Sequence, residues 1–178
     1  MKIVASDKTG TLTHGEFAVL NVDMVGKWKK KKEVRRKVCC GGDWGGNLNW
    51  TDSNSFVPIS SQVFRCLAVM ERESSHPMAA ALVARAQTEG VTLTEKDQAS
   101  EHEILKGEGV QGVVDGTRMY VGNARLMERL GLLKGLDASV LRKTKTWSKD
   151  GGTVGFMAVE KVGVVCVFVV SDKVRSER

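Results

Sequence analysis

The chain has 178 residues, 42% of them apolar and 27% charged, which suits about one domain with a real core, or one domain plus a piece of another. Its longest apolar run, residues 162–170, is nine residues long and contains a glycine, well short of the roughly 20 that a membrane-crossing helix needs. The formal charge of +6 does not describe a uniformly basic protein: residues 27–37 hold eight Lys/Arg against one Glu, a local +7 that leaves −1 for everything else.

The chain opens on Lys-Ile-Val-Ala-Ser, which reads as a short buried strand and, being polar again by Ser6, does not resemble a secretory leader. A cytosolic chain is expected. Next comes Asp7-Lys8-Thr9-Gly10-Thr11-Leu12-Thr13. A carboxylate at the carboxyl end of such a strand stands where open α/β sheets place reactive groups, so Asp7 is a candidate nucleophile, and Gly10 lets the backbone turn sharply. Residues 16–25 shift from an apolar run to alternation and read as a strand. Residues 26–58 are first basic, then rich in Gly, Asn, Ser and Asp, with Trp28, Trp44 and Trp50 scattered through them and no helical period. They read as a flexible insertion.

Ser60 and Ser61 are placed to cap a helix through Val63, Phe64, Leu67 and Met70 that ends near Glu71. A second helix follows Pro77, which suits a first turn, and stops before Gly90. That puts His76 at a helix start. Residues 104–110 and 113–121 read as strands of a hairpin, with Asp115-Gly116 as a two-residue turn; residues 123–130 read as a short helix stopped by Gly131, and 153–160 and 162–170 as two more strands. The pattern predicts an α+β fold, an antiparallel sheet flanked by helical hairpins. Cys39, Cys40, Cys66 and Cys166 lack the paired spacing of a zinc site or a disulfide framework. Cys66 and Cys166 fall in apolar elements and are expected to be reduced core residues, while Cys39-Cys40 is an incomplete ligand set.

The string from Asp7 to Thr13 resembles the phosphorylation signature of P-type ATPases, cation pumps that transfer the ATP γ-phosphate to this aspartate. Thr9 stands where related aspartate-nucleophile phosphatases carry a second Asp, so an aspartyl phosphate should persist; Ser6 departs from the family, which has a bulky apolar residue there. The later motifs narrow the resemblance. Glu71 and Ser74 before His76-Pro77, then Gly107-Glu108-Gly109, then Val121-Gly122-Asn123, are similar to the nucleotide-binding domain of heavy-metal-transporting P-type ATPases, and the Ser-Ser-His-Pro-Met-Ala-Ala string looks most like the zinc/cadmium exporters.

The resemblance implies ATP and Mg²⁺ as cofactors. Asp7, Lys8 and Thr9 would be catalytic, with the Asp7 carboxylate and the Thr9 carbonyl supplying an incomplete Mg²⁺ site. Glu71, Ser74, His76, Pro77, Gly107, Gly109, Gly122 and Asn123 would bind the nucleotide: imidazole packs beside a purine, Glu71 accepts from its amine, and the glycines leave room for the base. Arg175, in the Asp-x-x-Arg formed with Asp172, would reach the phosphates. The implied organisation is a stub of a HAD-like α/β phosphorylation domain at 1–15, a connecting strand at 16–25, the insertion at 26–58, the nucleotide-binding domain at 59–170 and a returning hinge at 171–178.

Three function classes follow. The first is the ATP-binding portion of a heavy-metal pump at the cytosolic face of a membrane, whose partners would be the membrane helices, the actuator domain and the rest of the phosphorylation domain. The Gly-Asp-Gly-x-Asn-Asp and Thr-Gly-Glu strings are absent, so binding with little turnover is expected of this chain alone. The alternatives are a stand-alone nucleotide-binding regulatory module and a basic insertion that contacts nucleic acid or anionic membrane. Nucleic acid is not the expected partner, and direct membrane contact would run only through the insertion.

Overall fold

The computed structural model describes residues 13–26, 59–74 and 76–174. Six strands, β1 (Thr13–Met24), β2 (Ser100–Leu105), β3 (Gly109–Val114), β4 (Thr117–Gly122), β5 (Thr153–Val159) and β6 (Gly163–Val174), form one sheet in the order β1-β6-β5-β4-β3-β2. Every neighbouring pair is antiparallel. The helices α1 (Ile59–Glu71) and α2 (Pro77–Thr88) pack on one face, and α3 (Ala124–Arg129), a 3₁₀ turn at Leu132–Gly135 and α4 (Ala138–Lys149) cover the other.

That three-layer arrangement explains the long apolar runs near the carboxyl end. In β5, Met157 and Val159 join the core under α1 and α2, whereas Phe156 and Ala158 join the core under α3 and α4. A strand covered on both faces loses the polar alternation of a half-exposed one. β3 keeps the alternation, burying Val110, Gly112 and Val114 while Gly109, Gln111 and Val113 stay part-exposed, and the edge strand β2 buries none of its residues. Cys66 and Cys166 are wholly buried, and burial pushes both thiols up to about 12, which leaves them inert near neutral pH.

The expected Asp115-Gly116 turn is present, but its strands are displaced from those expected: β3 fills 109–114, and the turn divides the stretch read as one strand over 113–121. β3 and β4 meet at Asp115-Gly116, both at positive φ (49° and 73°), the backbone that a tight two-residue turn requires. The stretch read as one strand over 104–110 is broken by a turn at Lys106–Glu108, and β2 starts earlier, at Ser100. Two further differences have local causes. α1 already includes Ile59, so Ser60 and Ser61 lie in its first turn rather than capping it. α4 escapes a periodicity reading because it is dominated by Arg142, Lys143, Lys145 and Lys149 and buries only Val140 and Thr144, with Trp147 partly covered; its start is marked by Asp137, whose carboxylate accepts from the Ser139 N–H.

A partly buried ionic tie fixes α1 over the sheet. The Arg65 guanidinium donates through Nε to Asp97 Oδ1 at 2.7 Å and through Nη1 to Asp115 Oδ2 at 2.6 Å, joining the helix to the loop before β2 and to the β3–β4 turn. Five residues on, Met70 lies over mid-strand Gly112. The helix therefore advances along β3 from its Asp115 end toward its Gly109 end.

Candidate functional site

Among the residues singled out in sequence, Asp7, Lys8, Thr9 and Arg175 lie outside the described residues, as do Cys39, Cys40 and the basic stretch at 27–37. The others fall into two clusters. Glu71, Ser74, His76 and Pro77 share one concavity of about 480 Å³ between the end of α1 and the side of α2, whose wall is made by Ala79, Ala80, Val83 and Ala84. Gly107, Gly109, Gly122 and Asn123 gather at the β2–β3 turn and the start of α3 and are not among the residues lining that concavity.

The first cluster is a chain of small orienting bonds. Glu71 ends α1 and is 9% exposed. Burial raises its carboxyl to about 7, against the opposing effect of a hydrogen bond with the Ser74 side chain. The same Ser74 hydroxyl oxygen accepts from the His76 backbone N–H at 3.3 Å. His76 caps α2: its Nδ1 accepts from the Met78 N–H at 3.2 Å, which places the ring hydrogen on Nε2. Pro77 occupies the first helical position, where no N–H is needed. An exposed imidazole with an outward donor thus stands beside a buried carboxyl that accepts, over an alanine and valine wall.

The second cluster is a backbone crossing. Gly109 and Gly122 are register partners, and a Cβ on Gly109 would come within 2.1 Å of the Val121 carbonyl oxygen, one on Gly122 within 2.2 Å of the Glu108 carbonyl oxygen. Only glycine permits that approach. Asn123 locks it: its N–H donates to the Glu108 carbonyl at 2.8 Å, its Nδ2 to the Gly107 carbonyl at 2.8 Å, and its Oδ1 accepts from the Leu126 N–H at 3.1 Å as the cap of α3. Glu108 Oε2 takes Arg129 Nη2 at 2.6 Å, a second link from the turn to α3. Because α1 advances toward the Gly109 end of β3, Glu71 is delivered to the end of the sheet that carries this turn.

Sequence reading did not single out His102, which bonds the end of α1. Its Nε2 lies 2.9 Å from the Met70 carbonyl oxygen. Nothing in its sequence neighbourhood marks it, since a lone histidine in a polar stretch carries no spacing signal. Among the described residues there is no group of three or more His, Cys, Asp or Glu placed to hold a metal, and no helix is long and apolar enough to cross a membrane.

No family model matches the sequence. Direct comparison with known proteins does. Over 177 residues the chain is 33% identical to the cadmium/zinc-transporting ATPase HMA2 of Arabidopsis thaliana, an alignment that takes in 99% of this chain and 15% of that protein. The fold matches that of a zinc-transporting PIB-type ATPase with a TM-score of 0.61 at 20% identity, over 96% of this chain and 21% of that one. It also matches the N-domain of HMA8, a copper-transporting P-type ATPase, with a TM-score of 0.55 at 19% identity, over 86% of this chain and 99% of that one. The six-stranded antiparallel sheet with its helices is therefore the P-type ATPase N-domain fold. Over nearly its whole length the chain is similar to heavy-metal-transporting P-type ATPases, and it spans about 15% of the length of the cadmium/zinc-transporting relative.

Proposed function

We propose that this chain is the ATP-binding portion of a zinc/cadmium-type P-type ATPase at the cytosolic face of a membrane. The adenine packs against the alanine and valine wall of the Glu71–His76 corner, with its exocyclic amine donating to Glu71 and the His76 ring beside it. The base and ribose extend toward the Gly107–Gly109 turn held by Gly122 and Asn123. Asp7 attacks the γ-phosphorus, ADP leaves, and the aspartyl phosphate drives metal-ion transport in the parent pump together with its membrane helices, its actuator domain and the rest of its phosphorylation domain. Mg²⁺ would be held by the Asp7 carboxylate and the Thr9 carbonyl and would offset phosphate charge. Residues 59–170 form the nucleotide-binding domain in this reading, 1–15 the phosphorylation-domain stub and 171–178 the returning hinge, with Arg175 closing on the phosphates.

The observation that carries the reading is the corner itself: a buried acceptor, an outward N–H donor and a small-residue apolar wall around one concavity, the mix that binding sites for flat heteroaromatic rings require. The sheet adds support for the hinge. Thr13 pairs with Val174, so the segments carrying Asp7 and Arg175 join the described sheet at adjacent positions. His76→Gln is expected to weaken ATP affinity about tenfold because the flat ring beside the base is lost, and to lower stability by only about 1 kcal/mol through loss of the Nδ1 cap bond to the Met78 N–H, since the ring is exposed and the core stays intact. Calorimetric titration with ATP reads the effect, and equal affinity for the two proteins would remove His76 from the site.

A further inference from the structure

The geometry points to His102 as a positioning residue for the Glu71–His76 corner, an inference that rests on the nucleotide-binding reading of that corner: a bulge in β2 turns its imidazole into the end of α1, where it holds the Met70 carbonyl. The last carbonyls of a helix have no partner within the helix. At the end of α1 the Ala68 carbonyl accepts from the Arg72 N–H and the Glu71 carbonyl from the Ser74 N–H, both at 2.9 Å. The Met70 carbonyl, immediately before Glu71, is taken instead by His102 Nε2 at 2.9 Å, across 32 residues of sequence. A carbonyl can only accept, so Nε2 carries the hydrogen and Nδ1 is turned toward Glu73 Oε2, 3.7 Å away. A donor at this end also suits the partial negative charge of a helix carboxyl terminus.

The strand is shaped to deliver this ring. β2 is an edge strand whose register with β3 shifts between Ser100 and Glu103, and Glu101 sits at φ 51° in the middle of the shift. Bulges re-aim side chains, and here His102 ends with only 9% of its side chain exposed while its neighbours Glu101, Glu103 and Ile104 face solvent. Both flanks are tied across the sheet, Glu101 by an ion pair with Arg118 and Glu103 by the Gln111 amide at 2.6 Å. A non-glycine residue held at positive φ costs free energy, and the carbonyl bond gives that conformation a purpose. Losing the bond leaves the Met70 carbonyl unpaired and frees the last turn of α1, which carries Glu71 and leads into the Ser74–His76 turn.

Three variants of the full 178-residue chain test this. His102→Gln keeps an N–H close to the Nε2 position, His102→Leu keeps bulk without a donor, and His102→Asn has a donor that falls short of Met70. In the parent protein the Glu71 carboxyl carbon resonance should titrate near pH 7, as its burial implies. The Gln variant should retain both that midpoint and ATP affinity. The Leu and Asn variants should shift the midpoint down by at least about one pH unit as water reaches the carboxyl, and weaken ATP binding about tenfold; if Leu does not fold, Asn supplies the answer. A midpoint and affinity unchanged in Leu and Asn, or a Gln variant as impaired as Leu, overturns the role of His102. Failure of the parent to bind ATP overturns the nucleotide reading instead, while the carboxyl titration still reports whether His102 positions Glu71.

Discussion

Gly109→Ala is expected to destabilise the fold by about 4 kcal/mol, as is Gly122→Ala, whereas Gly107→Ala should cost only about 1–2 kcal/mol. Gly107 and Gly109 belong to one three-residue motif and Gly122 to the next, yet their surroundings do not follow that grouping. At Gly109 the added methyl meets the Val121 carbonyl oxygen and the Gly122 Cα at 2.5 Å, both backbone atoms of a paired strand, and φ is +150°. At Gly122 it meets the Glu108 carbonyl oxygen and Leu126 Cδ2 at 2.7 Å. Neither strand can retreat, because Asn123 bonds the turn at two carbonyls. At Gly107 nothing lies within 4 Å and the cost is that of the left-handed backbone alone, φ +73°. Denaturant unfolding of the three variants measures the order. If Gly109→Ala proved as mild as Gly107→Ala, the crossing would not be the reason for glycine there.

Glu71→Gln is expected to stabilise the ligand-free protein by up to about 3 kcal/mol at pH 8 and to change it little near pH 4.5. The sign follows from where the proton goes. Burial raises the native carboxyl from an ordinary 4.5 to about 7, so between those values the unfolded chain ionises while the native protein still holds its proton. The stability that the protonated carboxyl contributes is complete below pH 4.5 and is lost as the pH rises through 7. A glutamine has no proton to lose and should flatten that part of the stability–pH curve. Unfolding free energies of both proteins at several pH values between 4 and 8 test it. A constant offset across the range would mean that Glu71 ionises at an ordinary pH.

How much of this was legible in the sequence varied with the kind of interaction. The His76-Pro77 corner was readable because its determinants are local: proline suits a first turn, and the cap bond spans two residues. The Asp115-Gly116 turn was readable for the same reason. The two apolar runs near the carboxyl end were visible as strands, yet their burial on both faces depends on α4, whose narrow stripe of Val140, Thr144 and Trp147 is hidden among lysines and arginines. The bulge at Glu101 and the His102 bond to Met70 were not legible, since both arise from partners far apart in the chain. Glu71 was picked out by its motif, but its raised carboxyl belongs to packing around the end of α1 and has no sequence signal.

The glycines show a motif with two physical layers. Their pattern points toward room for a ligand, while Gly109 and Gly122 are also required by two backbones in contact. A ligand held at the Glu71–His76 concavity must extend beyond it to meet the glycine turn, because the two clusters do not share lining residues.

The most direct test of the account is therefore a backbone amide map of the labelled protein during titration with ATP. Shift changes should concentrate at Glu71, His76, Gly107, Gly109 and Gly122, joining the two clusters around one nucleotide. Changes confined to residues elsewhere, or no response at millimolar ATP, would contradict it.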